Sequence, residues 1–255
     1  MYNREDIRTV QQCLLRMAKE IAGVLEGNGI QYFIAYGTLL GAVRHQGFIP
    51  WDDDLDFYLF DDSYDRAVEL LRKNLSVDLF VEDAKSEPLY FHGWAHVKDL
   101  HSEVVCNLFP QDGLYAHHGI SVDLYRAKPI KAQEELLYHK TEHLKYLERK
   151  LKHHLIAEDA FNVKACELRK VIRSEEKRLQ TVDLSADEDI YGLLGTYNEN
   201  IRFSEVFPLR KYSFEDTEFY GPNDADAFLR RCYGNYMQLP PEEKRKPHYS
   251  DVRFR

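Results

Sequence analysis

Cysteine is scarce and scattered: Cys13, Cys106, Cys166 and Cys232 stand apart, with no Cys-x-x-Cys pair. A structural zinc or a disulfide framework is not expected, and reduced cytoplasmic thiols are the default. No apolar run approaches the length of a transmembrane helix. The charged start MYNREDIRTVQQ lacks the apolar segment of a secretory leader. Positive charge is also short, with 34 Lys and Arg against 43 Asp and Glu and a net charge of −9. That balance argues against a general nucleic-acid binder, so phosphates would be met by local positive charge and metal. Core-forming residues are not short: 44% of the 255 residues are hydrophobic, enough for one large domain over residues 1–255.

The most informative stretch is residues 36–57, YGTLLGAVRHQGFIPWDDDLDF. Asp54 and Asp56 flank Leu55. On a strand, alternate side chains share a face, so the two carboxylates project together while Leu55 and Phe57 turn to the core. Paired carboxylates repel, and a divalent cation removes the conflict. Hard oxygen ligands suit Mg²⁺ or Mn²⁺, usually together with substrate phosphates. Ahead of the acids, the apolar run Tyr32-Phe33-Ile34-Ala35 passes through Gly37-Thr38 into the helical pattern around Leu39, Leu40, Gly41 and Val43. A helix N-terminus at that point is a natural phosphate site. Arg44 and His45 could add positive charge, and Trp51 could stack on a base or close an apolar wall. Asp52 is a candidate for direct participation, whereas Asp53 is expected to cap or orient neighbours.

These residues resemble the LicD/fukutin family of the nucleotidyltransferase superfamily. That superfamily pairs a Gly-Ser/Thr turn with an Asp-x-Asp strand and a third acid on a later strand. Here Gly37-Thr38, Asp54-Leu55-Asp56 and Asp123 within Ser121-Val122-Asp123-Leu124 match. The insert GAVRHQGFIPWDD is itself the family signature. The C-terminal stretch also fits, through Phe207-Pro208-Leu209, Phe214-Glu215, Tyr233-Gly234-Asn235-Tyr236-Met237, Leu239-Pro240-Pro241, Arg245 and His248. Some relatives carry a cysteine-ligated zinc, for which this chain lacks a cluster.

The resemblance implies an Mg²⁺- or Mn²⁺-dependent enzyme, with two ions held by Asp54, Asp56 and Asp123. It implies transfer of a phospho-alcohol from a CDP-activated donor to a hydroxyl of a cell-surface glycan, such as lipopolysaccharide or teichoic acid, or of its lipid-linked precursor. CDP-choline is the favoured donor; ribitol phosphate, glycerol phosphate and phosphoethanolamine stay open. Gly37, Thr38 and Gly41 would meet the diphosphate, with Arg44, His45, Trp51, Asp52 and His248 around it. Action at the cytoplasmic face, with peripheral membrane contact, follows from the same resemblance. Nucleotidyl transfer from an NTP uses the same acids, and a catalytically dead scaffold is the non-enzyme alternative. Oligomeric state is not specified.

Periodicity gives the organisation. Ile7, Val10, Leu14, Met17, Ile21 and Val24 predict an amphipathic helix over 4–26, stopped by Gly27-Asn28-Gly29. Strands are expected at 30–36, 54–60, 77–82, 93–98, 103–109 and 119–126, and a helix at Tyr64–Lys73. The expected class is α+β (mixed α/β), a nucleotidyltransferase-like core sheet over about 30–126 with flanking helices. The three acids should lie on neighbouring strands at one edge of the sheet. Leucine stripes predict an inserted helical hairpin over 130–181, with a break near Asp159. Residues 200–255 would pack back on the core.

The first hairpin arm is locally basic, with Lys140, Lys145, Arg149, Lys150 and Lys152 against Glu142 and Glu148 over 138–154. A solvated helix face is the ordinary reading, and a surface for an anionic acceptor or membrane leaflet the sharper one. His92, His96 and His101 fit zinc spacing poorly. Lys98 reads as a surface lysine or a phosphate contact.

Overall fold

The computed structural model describes residues 4–106, 113–193 and 200–255. Helix α1 (Arg4–Gly27) buries Val10, Leu14, Met17 and Ile21 completely, with Leu25 rather than Val24 closing the stripe. It ends where Gly29 takes the left-handed φ of 67°.

The central sheet has the order β1 (Tyr32–Phe33), β2 (Asp56–Phe60), β6 (Ser121–Lys131), β4 (Ala95–Asp99), β3 (Leu79–Glu82). Strand β7 (Asp189–Leu193) adds to the far half of β6, and β8 (Ile201–Arg202) pairs with β7. Only β2 and β6 run parallel among these pairs. The mixed α/β architecture expected from the sequence is the one found. The acid-bearing strands are adjacent, but they sit in the middle of the sheet rather than at its edge.

Between β1 and β2 lies α2 (Tyr36–His45), and α3 (Tyr64–Asn74) follows β2. Strand β5 (Ser102–Cys106) pairs instead with the C-terminal β11 (Tyr249–Phe254). Of the strand expected at 103–109, residues 107–109 lie outside the described residues. The first core strand is shorter than expected, because Tyr36 already opens α2 with a φ of 44°.

The helical hairpin consists of α4 (Glu135–Lys152) and α5 (Glu158–Leu179). Leu147, Phe161, Ala165 and Leu168 form its buried contact. It starts later than the stripe suggested, because residues 127–131 are captured as strand by β7; Leu136 is left exposed. The remaining elements are α6 (Phe203–Val206), the hairpin of β9 (Arg210–Phe214) with β10 (Thr217–Gly221), and α7 (Ala225–Tyr233). Ile34 donates its backbone N–H to Tyr220 at 2.8 Å, which extends the β1 edge onto β10.

Candidate active site

The site grows from one register. Asp56, the first residue of β2, is the in-register partner of Asp123 on β6. On the other side of β6, His96 of β4 is the partner of the same Asp123. Asp54 lies two residues before β2, so the strand begins two residues later than the expected start at 54. Leu55 and Phe57 are fully buried, as the alternation required. A cavity of about 1260 Å³ opens over this floor. Asp52, Asp54, Asp56 and Asp123 all line it, together with Gly37, Arg44, Trp51 and His248.

Electrostatics reflect the crowding. Burial, then the Asp54 charge, pushes the Asp52 carboxyl well above the ordinary carboxylate range. Burial also raises Asp54, and raises Asp56 strongly with help from Asp54 and Asp123. His248 also shifts upward, which for an imidazole favours the charged form. Its Nδ1 lies 3.2 Å from both Asp53 Oδ1 and Asp54 Oδ2, and its pKa rises to about 9, first through the hydrogen bond to Asp53. Among the described residues, Asp52, Asp54 and His248 form the group of three whose ligand atoms all lie within 4.8 Å of one another. Carboxylate-rich donor sets of this kind suit a hard divalent cation. His248 thereby joins the acids as a ligand candidate, beyond the expected Asp54, Asp56 and Asp123.

Asp53 does not face the cavity. It is fully buried and accepts the backbone N–H groups of His248 at 2.7 Å and Tyr249 at 2.9 Å. One acid of the motif therefore fixes the C-terminal segment that delivers His248. Gln11 on α1 holds the same loop by donating to the carbonyls of Ile49 and Asp52.

Three candidates have other tasks. The Thr38 hydroxyl is buried and accepts the Asp56 backbone N–H at 3.0 Å, so it anchors the acid strand. Gly41 faces the Gly47 carbonyl; an added Cβ would lie 2.5 Å from that oxygen, so the glycine permits helix–loop contact. His45 Nε2 accepts Arg44 Nε at 2.9 Å, and neither Thr38, Gly41 nor His45 lines the cavity. Arg44 also donates to the Tyr236 carbonyl at 2.6 Å, and the Arg245 guanidinium sits 5.2 Å from the Trp51 ring centre. Lys98 is neither on the surface nor in the cavity: it is buried and ion-paired with Glu82 at 2.8 Å.

Further residues around the acids carried no such role in the sequence reading. His96 lies between Glu82 and Asp123, 3.4 Å from each, and accepts Trp94 Nε1 at 3.0 Å. Tyr125 donates to Asp123 at 3.1 Å and stacks on Tyr58 and against Trp94, with centroids 5.1 and 4.8 Å apart. The signal was the alternation Asp123–Tyr125 on one strand face, which is visible only once the face is known. From α4, Lys140, Glu142 and Arg149 of the basic arm noted in the sequence reach the cavity, together with His139, His143 and Tyr146.

The sheet thus carries in-register acids beneath the N-terminal end of α2. Residues 29–111 match the LicD/FKTN/FKRP nucleotidyltransferase domain. The chain is 27% identical to the lipopolysaccharide cholinephosphotransferase LicD of Haemophilus influenzae, over 95% of this chain and 96% of that protein. An uncharacterised Rickettsia typhi protein is 25% identical over 86% of this chain and 45% of its own length. Human ribitol 5-phosphate transferase FKRP is 44% identical over 57 residues, 21% of this chain and 12% of that enzyme. Residues 29–111 thus match the LicD family model, and the similarity to the Haemophilus influenzae protein continues through nearly the whole chain. Among the described residues no helix is long and apolar enough to cross a membrane.

Proposed function

We propose that this protein transfers a phospho-alcohol, phosphocholine in the first place, from a CDP-activated donor to a hydroxyl of a cell-surface glycan or its lipid-linked precursor. The observation that carries the reading is the convergence of Asp52, Asp54, Asp56, Asp123 and His248 on one cavity beneath α2. Asp54, Asp56 and Asp123, with Asp52 and His248 beside them, are the residues that would hold Mg²⁺ or Mn²⁺. A divalent ion there would neutralise the donor diphosphate and lower the pKa of the attacking hydroxyl.

The remaining work falls to the chain. Gly37 at the start of α2 presents backbone N–H to diphosphate oxygens, and Arg44 counters their charge. An added Cβ at Gly37 would lie 3.3 Å from Asp52 Oδ2, so the glycine keeps acid and backbone close together. The acceptor oxygen attacks the phosphorus that bears the alcohol. The bond from that phosphorus to the bridging oxygen breaks, CMP leaves with the electron pair, and a carboxylate of the cluster takes the hydroxyl proton. His96, Tyr125 and Thr38 orient Asp123 and Asp56 for this step.

Choline as the alcohol is supported by the aromatic wall of Trp94 and Tyr125 beside Asp123, because a quaternary ammonium favours aromatic faces. Ribitol phosphate is the second reading, favoured by the 44% identity to FKRP over 57 residues. The test is product analysis with Mg²⁺ and CDP-choline, CDP-ribitol, CDP-glycerol or CTP. CMP from one CDP-alcohol, abolished by EDTA, supports the transfer and names the donor. Pyrophosphate from CTP, with no CMP from any CDP-alcohol, assigns nucleotidyl transfer instead.

A further inference from the structure

The cavity has room for more than the donor. Its volume of about 1260 Å³ exceeds the roughly 300–1,000 Å³ of a pocket for one small molecule. Asp56 and Asp123 lie on the central strands β2 and β6, with Asp52 and Asp54 just before β2, and the two flanking walls differ. On the β1 side, α2, the connection that follows it and the C-terminal segment supply Gly37, Arg44, Trp51, Lys244 and Lys246. Beyond β6 the wall is α4, which packs on β6 and β7.

The α4 wall is built for a charged, flat ligand. His139, His143, Tyr146 and Arg149 recur at spacings of three and four and share a helix face, with Lys140 at its margin. The leucines Leu144, Leu147 and Leu151 turn to α5, and Tyr146 borders both that contact and the cavity. Arg149 is fixed by donating Nε to the Phe91 carbonyl at 2.7 Å. Among the described residues neither Lys140 nor Arg149 has a carboxylate partner within ion-pair distance, although the chain carries an excess of acid. The one acid on this face, Glu142, is held by Lys145 at 2.7 Å. A planar guanidinium, an ammonium and an aromatic ring on one wall match a sugar ring that carries an anionic oxygen group.

We propose that the α4 face is the acceptor subsite and that it takes a sugar bearing a phosphate or carboxylate. Tyr146 lies against the ring, while Lys140 and Arg149 bind the anion. The word acceptor rests on the transfer reading above; the anionic-sugar site rests on α4 alone.

The experiment is calorimetry on the full chain saturated with CDP and Mg²⁺, titrated with glucose 6-phosphate, glucuronate or glucose. The anionic sugars should bind at least about tenfold more tightly than glucose, the scale of one charge-assisted hydrogen bond. Lys140→Gln, and Lys140→Gln with His143→Gln, should weaken glucose 6-phosphate about tenfold or more and leave CDP affinity within about twofold. These positions avoid Arg149, whose loss would free the Phe91 carbonyl. Equal binding of charged and neutral sugars overturns the inference, as does loss of CDP rather than sugar affinity in the variants. Binding of anionic phospholipid vesicles that Lys140→Gln abolishes, with no sugar bound, also overturns it and points to a membrane. CMP release from CDP-choline is measured alongside. Sugar binding without CMP release supports the α4 site and removes the transfer reading; CMP release with no charge discrimination removes only the α4 inference.

Discussion

At the scale of the residue, the DDD run divides its labour. Asp52 and Asp54 face the cavity, while Asp53 turns inward to hold the backbone of His248 and Tyr249. The sequence made this division legible in part: alternation separates Asp54 and Asp56 from Leu55, but nothing local shows that Asp53 meets a segment nearly two hundred residues later. Asp53→Ala leaves one buried and one part-buried N–H donor without an acceptor, which costs about 3 kcal/mol. A thermal melt should show that loss, and CMP release should fall because His248 is no longer held over Asp54. Activity and melting temperature at wild-type values would show that Asp53 is dispensable. From sequence, His96 reads only as a poor zinc ligand, because its place beside Asp123 depends on cross-strand register, a long-range fact.

Among the elements, α2 carries the clearest lesson. Its sequence reads as a phosphate-binding helix start, and Gly37 does face the cavity, but Thr38 and Gly41 serve the scaffold. A small residue at a motif position answers equally to a ligand and to a close backbone, and sequence cannot separate the two. Gly41→Ala should destabilise by about 1–3 kcal/mol through the clash with Gly47. In denaturant titration the midpoint should fall while donor affinity is retained in the folded fraction. Loss of donor affinity at unchanged stability would return Gly41 to the phosphate site. The helices α1, α3 and the α4–α5 pair were legible because their periodicity is strong. The short strands β7 and β8 were not, because their pairing partners lie far away in sequence.

For the whole molecule, the acid cluster links fold to pH and metal. Asp52, Asp54 and Asp56 bind protons more tightly in the metal-free native state than in the unfolded chain, whose carboxyls titrate near about 4. The native state then holds the extra protons, so these groups lower stability as pH rises above that value. The His248 contribution has the same sign: it is full below about 6.5 and is lost as pH rises through about 9. Asp56→Asn removes one repelling charge. In EDTA its melting temperature should exceed that of wild type, by a margin that grows from about pH 5 to about pH 8. A margin that shrinks would contradict the sign. Mg²⁺ should reverse the order by stabilising wild type preferentially, by about 2.7 kcal/mol at a hundredfold excess over its Kd.

Turnover is the most direct measurement: CMP released from CDP-choline with Mg²⁺, for wild type and for Asp56→Asn confirmed folded by circular dichroism. The account predicts release that EDTA abolishes and that Asp56→Asn lowers by about three orders of magnitude or more, the scale on which loss of a charge-stabilising group acts. Release at wild-type rate from the folded variant, or undiminished release in EDTA, would contradict the assignment of this acid cluster as the reaction centre.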